Sequence, residues 1–513
     1  MIRSTFSGFN MALTGLNASQ KSLDVTGQNI VNMNTTGYTR QRLDLYSIKG
    51  PGTGPYSFIS ETKVGQGVMM QSVSQLRDPY LDFQFRTQLA KVGTQDAKNQ
   101  VLGQIGGIFD KVDTSNIQEA LDEIVSQLQD LSTKVGQDGA DGLVREAFGV
   151  LIDYLHQNST ELDEIRNTLI EKMQKTIGPE VNEILKNIAS LNESIKNAEI
   201  LGDPALELRD QRNLLIDDLS TYLPIEVSTS HVDVGGGVKV EELSIKIKGS
   251  DNFLVSGVHA GEVTFTENKN NPGELDLNIK EYDKQKDTLV DKDYTDTLQE
   301  GIIKGNLDML NSDGYSAGET DVKGIGYYEA LLDSFANTLA TEMNKLNDDG
   351  DPNTDDTLFE TSDGSKTFTA GNIKISDAWM KGDVKILNSV DGGSTANDNI
   401  LKMKELLSTK KDLEFRTPDG KTLLYTGSMP GAYINIQNMQ GIQKKSTESL
   451  LSNRVSIMNE IADNRDSVSG VSLDEEVSNL MRFQQSYNAA ARVMTAMDEA
   501  LDILINKMGV VGR

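Results

Sequence analysis

Residues 472–508, SLDEEVSNLMRFQQSYNAAARVMTAMDEALDILINKM, carry the pattern that decides the fold. Apolar residues recur there at alternating spacings of three and four, which is typical of the a and d positions of a coiled coil. Such a narrow seam needs a partner helix, and Ser472 with Glu475 predicts a capping box at its start. The first seam consists of Leu480, Phe483, Tyr487, Ala490, Met494, Met497, Leu501, Leu504 and Met508.

A second apolar line runs beside the first seam on the same predicted helix. Its spacings are four and three, so the apolar face is wider than one partner helix can cover. We therefore expect more than one neighbouring helix, and we include Val493 of this line in the predicted assembly interface. The second seam consists of Ala489, Val493, Ala496, Ala500 and Ile503.

The same spacing recurs at the amino terminus, in a helix that should stop at the turn-forming residues 32–37. If the two terminal helices pair, the chain between them leaves the first helix, forms nested domains, and returns to the last helix. Interior glycines cost about 1 kcal/mol each relative to alanine, so the first helix should form poorly until it is packed. An ordinary buried helix pair at the base of a multidomain protein is the alternative. The amino-terminal seam is Phe6, Phe9, Leu13, Leu16, Gln20, Leu23, Gly27 and Ile30.

The composition limits the classes of function that are possible for this chain. The chain has 513 residues, enough for roughly three domains at about 150 residues each. A net charge of -28 argues against nucleic acid and against an anionic membrane surface as partners. No apolar run reaches the ~18 residues of a membrane span, and the first residues lack the apolar region of a cleaved signal peptide. We expect export, if it occurs, by another route. The absence of cysteine excludes disulfides and thiol chemistry.

The chain between the termini alternates between helical and extended patterns, which predicts an α+β multidomain fold. The predicted fold combines paired terminal coiled-coil helices, a second long-helix domain, and inserted β-rich outer domain(s). Gly178-Pro179 should interrupt a long rod over 173–198, and period-two patterns begin near residue 225. Helices are expected over 327–346, 401–407 and 442–468. The predicted terminal domain is 1–40 and 470–513, the long-helix domain is 41–224, 301–350 and 432–469, and the β-rich part is 225–300 and 351–431.

Motifs for catalysis or cofactor binding are weak. Gly420-Lys421-Thr422 lacks the earlier glycine of a phosphate-binding loop, and Gly65-Gln66-Gly67 lacks the third glycine of a dinucleotide fingerprint, so both predict turns. Three scattered histidines show no partner cluster. We expect no catalytic, cofactor-binding or metal residues.

One acidic loop is a candidate calcium site. Asp349, Asp351, Asn353 and Asp355, with Glu360, place oxygen ligands at calcium-loop spacing. Thr354 stands where the sharp turn of such a loop needs glycine, so a solvated acidic loop is favoured over a calcium site.

The two ends of the chain together resemble a known family. SGFNMALTGL at 7–16, LDVTGQNI at 23–30 and NTTGYTRQ at 34–41 are similar to the amino-terminal signature of flagellar rod, hook and hook-associated proteins. GVSLDEE at 470–476, with NLMRFQQSY at 479–487 and AAARV at 489–493, resembles the hook-associated protein 1 (FlgK) family. IASLNESI at 188–195 and LRDQR at 208–212 extend the resemblance inward. Gln28 and Thr36 depart mildly from the pattern.

The resemblance implies a structural role at the junction between hook and filament, in the extracellular flagellum. The implied partners are other copies in a ring, the hook protein, a second hook-associated protein and an export chaperone. It also implies export without a cleaved signal peptide. Another axial component such as the hook protein stays an alternative, as does an enzymatic or adhesive activity within residues 225–430.

Overall fold

The computed structural model describes residues 6–48, 65–109, 116–134, 139, 141–235, 237–269, 271–315, 322–348, 356–389, 396–417 and 419–503. The helices are α1 (Phe6–Asn32), α2 (Pro79–Phe109), α3 (Asn116–Thr133), α4 (Asp141–Lys172), α5 (Gly178–Ile200), α6 (Leu206–Tyr222), α7 (Ile302–Asn311), α8 (Ile325–Asn347), α9 (Asp377–Lys381), α10 (Asp398–Ser408), α11 (Met429–Ser469) and α12 (Leu473–Asp502). The strands are β1 (Gln41–Ser47), β2 (Val68–Gln75), β3 (Ile225–Asp233), β4 (Lys239–Ile247), β5 (Val255–Ser256), β6 (His259–Ala260), β7 (Glu262–Glu267), β8 (Leu275–Asp283), β9 (Thr288–Asp293), β10 (Phe359–Thr361), β11 (Ile373–Ile375), β12 (Leu413–Arg416) and β13 (Leu423–Gly427).

The two terminal helices, α1 and α12, pack along each other beside the antiparallel β1–β2 hairpin. Helix α12 begins where the sequence predicts, directly after Ser472, but the capping-box prediction is wrong because the Ser472 side chain makes no capping hydrogen bond. Glu475 is instead drawn to Arg40, with 2.7 Å between Oε2 and Nη1. Leu504 and Met508 of the predicted seam lie outside the described residues.

Long helices form the middle of the molecule. Helices α2 and α11 pack against each other, with α6 and α7 also against α2. The predicted interruption at Gly178-Pro179 is confirmed as a π-helical turn over Met173–Ile177 that joins α4 to α5. Pro179 has no N–H for the carbonyl of Lys175, so the regular hydrogen-bond pattern cannot continue there. The helix predicted over 442–468 begins earlier, at Met429, because the Ser428 hydroxyl caps it through the Gly431 N–H.

The period-two segment after residue 225 forms two antiparallel sheets, β3-β4-β5-β6 and β7-β8-β9. Both sheets contact α5, and a single bridge between Phe253 and Tyr282 links one to the other. Alternate residues of β8 are buried along most of its length, as expected for a strand with one face on the core. Strand β4 instead buries Leu243, Ser244 and Ile245 in succession.

The second insertion, residues 356–427, packs on a different part of the long helices. Its β10–β11 hairpin contacts α4 and its α10 contacts α3. An aromatic cluster holds it there, with the rings of Phe148 and Phe359 5.1 Å apart and those of Phe148 and Trp379 6.1 Å apart. One apolar core runs through the described chain from Val101 to Ile436, and none of its members belongs to α1 or α12.

Candidate assembly interface

The first seam of α12 faces α1 but is covered only in part. Gly8 of α1 lies against the Met497 side chain, where a Cβ atom would overlap the terminal methyl group. Glycine at this position therefore lets the two helices approach closely. The partly buried seam residues are Leu480, Phe483, Tyr487, Ala490, Met494, Met497 and Leu501.

The second seam of α12 is exposed. Val493 is 50% exposed and Ile503 is 51% exposed, and Ala489, Ala496 and Ala500 are exposed as well. Among the residues that the structure describes, no helix covers this line. A coherent apolar line on a long exposed helix is typical of a surface that packs in an assembly.

The predicted amino-terminal seam is not the most buried line of residues on α1. Leu13 is 38% exposed, and Leu16, Leu23 and Ile30 are only partly buried. Leu13 is therefore not covered by α12 within the single chain, and its place in the assembly interface stays a prediction. The deeply buried residues of α1 are Ala12, Ala18, Ser19, Ser22, Val25, Thr26 and Asn29.

Small side chains explain this displacement. Sequence periodicity marks large apolar residues, whereas a close approach between helices buries small ones. The hydroxyls of Ser19 and Ser22 can be buried because each donates to the carbonyl four residues earlier, at 2.9 and 2.8 Å. The hairpin also approaches closely, since a Cβ at Gly67, whose φ is +114°, would collide with Thr14.

A buried polar cluster fastens the two terminal helices at one end of the pair. Asn29 donates from Nδ2 to the Gln41 carbonyl at 2.9 Å and to Glu476 Oε2 at 3.2 Å. Its Oδ1 accepts from the Gln41 N–H and the Tyr38 hydroxyl. Arg40 donates from Nε to Glu476 Oε1 at 2.9 Å. We call Asn29, Tyr38, Arg40, Gln41 and Glu476 the terminal latch.

Electrostatics fix the protonation states within the terminal latch. Burial, with the carboxylates of Asp210 and Glu207, raises the pKa of Tyr38 above its ordinary value, so the hydroxyl stays a donor. Burial alone would lower the pKa of Arg40, but hydrogen bonds with Glu476 and Glu475 raise it. The guanidinium therefore remains charged. Sequence reasoning missed this cluster, although a polar Asn29 beside the helical seam was its one visible signal.

The terminal latch is tied to the long helices. The Arg40 N–H donates to the Ser469 carbonyl at the end of α11. Thr39 donates from its N–H and its hydroxyl to Asp210 of α6, at 3.0 and 2.6 Å. Burial raises the pKa of the Asp210 carboxyl, although the bonds from Thr39 and the charge of Arg77 oppose this. The orientation of the terminal pair is thus set against α6 and α11.

The β1–β2 hairpin presents a second exposed apolar surface. Leu45, Tyr46, Met69 and Met70 are each between 42% and 48% exposed. Leu45 lies opposite Met70 and Tyr46 lies opposite Met69. Since neighbouring residues of a strand point to opposite faces, both faces of the ribbon carry apolar side chains.

Several of the residues considered for chemistry have structural partners instead. His156 contacts the Ile373 carbonyl at 2.8 Å, and His259 stacks on Tyr282. Gly420, with φ +72°, lies in the tight turn between β12 and β13, which confirms that prediction. Glu360 pairs with Lys374 at 2.8 Å. The other four candidate calcium ligands lie outside the described residues.

In the described part of the chain, no group of three or more His, Asp or Glu residues is placed to hold a metal ion. None of the described helices combines the length and apolar character that crossing a bilayer requires.

Comparison with known proteins first defines the class. Residues 9–39 match the family model "Flagella basal body rod protein", and residues 464–507 match "Flagellar basal body rod FlgEFG protein C-terminal". These two matches cover most of α1, all of α12, and Asn29, Tyr38 and Glu476 of the terminal latch. Both terminal helices therefore match family models of flagellar basal body rod proteins.

The middle of the chain then specifies the family. Residues 102–359 match "Flagellar hook-associated protein FlgK helical domain". Flagellar hook-associated protein 1 of Bacillus subtilis (strain 168) is 31% identical over 99% of this chain and 100% of its own length. The Escherichia coli (strain K12) protein of that name is 23% identical over 97% of this chain and 99% of its own length. The chain belongs to the flagellar hook-associated protein 1 (FlgK) family and is a structural component of the flagellum.

A solved structure shares the fold. The flagellar hook junction protein FlgK from Burkholderia pseudomallei superposes with a TM-score of 0.56 at 13% identity, over 75% of this chain and 100% of that one. The α+β multidomain prediction is confirmed.

Proposed function

We propose that this chain forms the junction between the flagellar hook and the filament. The observation that carries the proposal is the terminal pair, in which one seam of α12 meets α1 while the second seam is left exposed. In the assembly, the second seam packs against terminal helices of neighbouring copies in a heterologous ring. The exposed apolar residues of the β1–β2 hairpin also support packing against neighbouring copies.

The predicted interface residues have two roles in this proposal. Those of the first seam hold the terminal pair together within one subunit. Val493, and Leu13 on α1, contact other subunits, because both are at least 38% exposed in the single chain. Leu16, Leu23 and Ile30 flank the buried line of α1 and complete the contact with α12.

The proposed domain organisation has three parts. Residues 1–40 and 470–513 form the terminal domain. Residues 41–224, 301–350 and 432–469 form the long-helix domain, and residues 225–300 and 351–431 form outer parts. The absence of α1 and α12 from the main apolar core of the described chain supports a terminal domain that is separate from the long-helix domain.

The proposed partners are the hook protein on one side and a second hook-associated protein on the other. Before assembly, an export chaperone covers the seams of α12, since exposed apolar lines invite aggregation. Export proceeds through the flagellar apparatus without a cleaved signal peptide, and the role is structural, without catalysis.

Deletion of the gene tests the junction role. Electron microscopy of the deletion strain should show hooks without filaments, and immunoblots should detect flagellin in the medium. Loss of hooks would instead identify a hook subunit. Normal flagella would contradict the proposal.

A further inference from the structure

A groove runs between α1, strand β2 and the turn that joins α5 to α6. It consists of two adjoining cavities of about 680 and 460 Å³, which share Lys21, Asp24 and residues 71–73 in their lining. Its walls are open to solvent, since Lys21, Asp24 and Glu207 are all exposed. A side chain of another molecule can therefore enter the groove.

Carboxylates outnumber lysines in the larger cavity. Glu199 is paired with Arg209, and Glu207 accepts a hydrogen bond from Gln41 Nε2 at 3.3 Å. Asp24 is exposed and forms no ion pair with any residue that the structure describes. Its carboxylate is thus available to a cation from outside. The lining carboxylates are Asp24, Glu199, Asp203 and Glu207, and the lysines are Lys21 and Lys239.

Two contacts fix which residues of α1 and α12 lie at the same level along the terminal pair. Asn29 is hydrogen-bonded to Glu476, and Gly8 lies against Met497. Going back 21 residues on α1, from Asn29 to Gly8, matches going forward 21 residues on α12, from Glu476 to Met497. The helices are therefore antiparallel and in step. Asp24, five residues before Asn29, is level with the residue five after Glu476, which is Met481.

Arg482 lies at this level and on the exposed side of α12. It precedes Ala489 by seven residues, or about two helical turns, so it continues the second seam towards the start of the helix. Its guanidinium donates to Asn479 at 2.9 Å and lies 5.0 Å from the centre of the Phe483 ring. It is exposed and forms no ion pair with a described residue. It is also the only cation within residues 473–491.

A ring brings the groove and Arg482 together. Copies related by rotation about a common axis keep the same axial level. When that axis runs along the terminal helices, the groove of one copy faces the part of a neighbour's α12 around Met481 and Arg482. Two opposite charges, Asp24 and Arg482, then meet at the same level. Met481, which is 53% exposed and belongs to neither seam, lies beside Arg482 and can cover the apolar part of the groove wall.

We propose that the groove of one copy binds Arg482 of a neighbouring copy, whose guanidinium pairs with Asp24. Carboxylate oxygens match the donor geometry of a guanidinium group. The excess of carboxylates in the lining favours a cation over other side chains and fixes which copy meets which. This contact rests on the proposed junction role and deepens it, because it names the residues through which successive copies recognise each other.

Charge reversal in the complemented deletion strain tests the pair. Arg482→Glu should reduce the number of hooks that carry filaments about tenfold, because two carboxylates then face each other. Asp24→Arg should have the same effect, and the double variant should restore the parental number. Lys421→Glu, at an 81% exposed side chain of the β12–β13 turn, is the matched control and should assemble normally. Circular dichroism of the purified variants should show the parental melting transition, since both residues are exposed.

Cross-linking tests the proximity directly, because the chain has no cysteine of its own. Tagged Asp24→Cys and Arg482→Cys chains are co-expressed in a strain that keeps the parental gene, so that mixed rings assemble. Isolated flagella treated with a bismaleimide should contain covalent dimers of the two variants. Either variant alone should give no dimer, and neither should Asp24→Cys with Lys421→Cys.

Three results would overturn the proposal. These are the absence of dimers from the co-expressed Asp24→Cys and Arg482→Cys chains, normal filaments with Arg482→Glu, and a double variant that fails to restore assembly. The phenotype of the gene deletion is read separately. Hooks without filaments in the deletion strain, together with normal filaments for Arg482→Glu, would leave the junction role standing and reject this contact alone.

Discussion

Glu476, in the first turn of α12, accepts a hydrogen bond from the amide of Asn29, near the end of α1, at 3.2 Å across 447 positions of sequence. Glu476 is 2% exposed and also pairs with Arg40, at 2.6 Å. A buried carboxylate is stable only with such partners. This contact fixes where α12, at the end of the chain, meets α1, at its beginning. It therefore also fixes how the two terminal helices are oriented against the long helices.

Replacing Glu476 by Gln should loosen this junction. The neutral side chain keeps one acceptor but removes the ion pair with Arg40, which we expect to cost about 1–3 kcal/mol. Hydrogen exchange of the α1 amides measures the free energy of local opening. Glu475→Gln is the control, because Glu475 is 62% exposed and should change that energy by less than about 1 kcal/mol. Equal effects of the two substitutions would contradict the importance of burial.

The terminal pair should be anchored at one end only. The terminal latch holds the start of α12, while every described residue of α12 after Glu476 is at most partly buried. In a dilute monomer, amides over 476–484 should therefore exchange more slowly than amides over 490–502, and assembly should protect both. Hydrogen exchange with mass spectrometry resolves the two segments. Uniform strong protection along α12 in a verified monomer would show that the pair needs no further partner.

Asp333 should make stability depend on pH. Its carboxylate accepts from the Ala370 N–H at 2.8 Å, and burial, with the charges of Glu329 and Asp163, raises its pKa from 3.8 to about 7. Because the folded state holds this proton more tightly than the unfolded state, the contribution of Asp333 to stability falls as pH rises from about 4 to about 7.

Asp333→Asn removes this penalty while keeping an acceptor for Ala370. The variant should be more stable than the parent chain by about 2 kcal/mol at pH 8, with the difference disappearing near pH 4. Urea unfolding at several pH values provides the measurement. Asp377→Asn, at a 70% exposed side chain of the insertion that contains Ala370, should show no such pH-dependent gain. A destabilised Asp333→Asn at pH 8 would refute the argument.

Phe148→Ala should weaken the docking of residues 356–389. Phe148 is fully buried between Phe359 and Trp379, and its removal should cost about 3–5 kcal/mol. Trp379 is the chain's single tryptophan and is also fully buried, so its fluorescence emission should shift to longer wavelength. Phe83→Ala, at a 52% exposed ring, is the control. Unchanged emission in Phe148→Ala would show that the insertion is held by other contacts.

Sequence periodicity predicted the helices and β-rich segments because burial of an apolar face imposes a repeat of 3.6 or 2. The separation of two seams on α12 could be read directly, since Leu480 and Val493 belong to different spacing series. The start of α12 after Ser472 was also legible, although the capping contact was wrong.

The polar contacts were not predictable from spacing. Asn29 and Glu476 are far apart in sequence, and nothing local marks them as partners. Hydropathy counts Ser19 and Ser22 as polar and therefore predicts that they are exposed. They are buried because each hydroxyl is hydrogen-bonded within its own helix.

The most direct test of the central claim is to complement the deletion strain with Val493→Asp. Val493 is exposed in the single chain, so the substitution should leave the purified monomer folded and as stable as the parent. In the assembly it would bury an unpaired charge against a neighbouring copy, which is costly. Gln484→Asp, an exposed position on the opposite side of α12, is the matched control. Electron microscopy should show hooks without filaments for Val493→Asp and normal filaments for Gln484→Asp. Normal filaments with Val493→Asp would contradict an assembly role for the second seam.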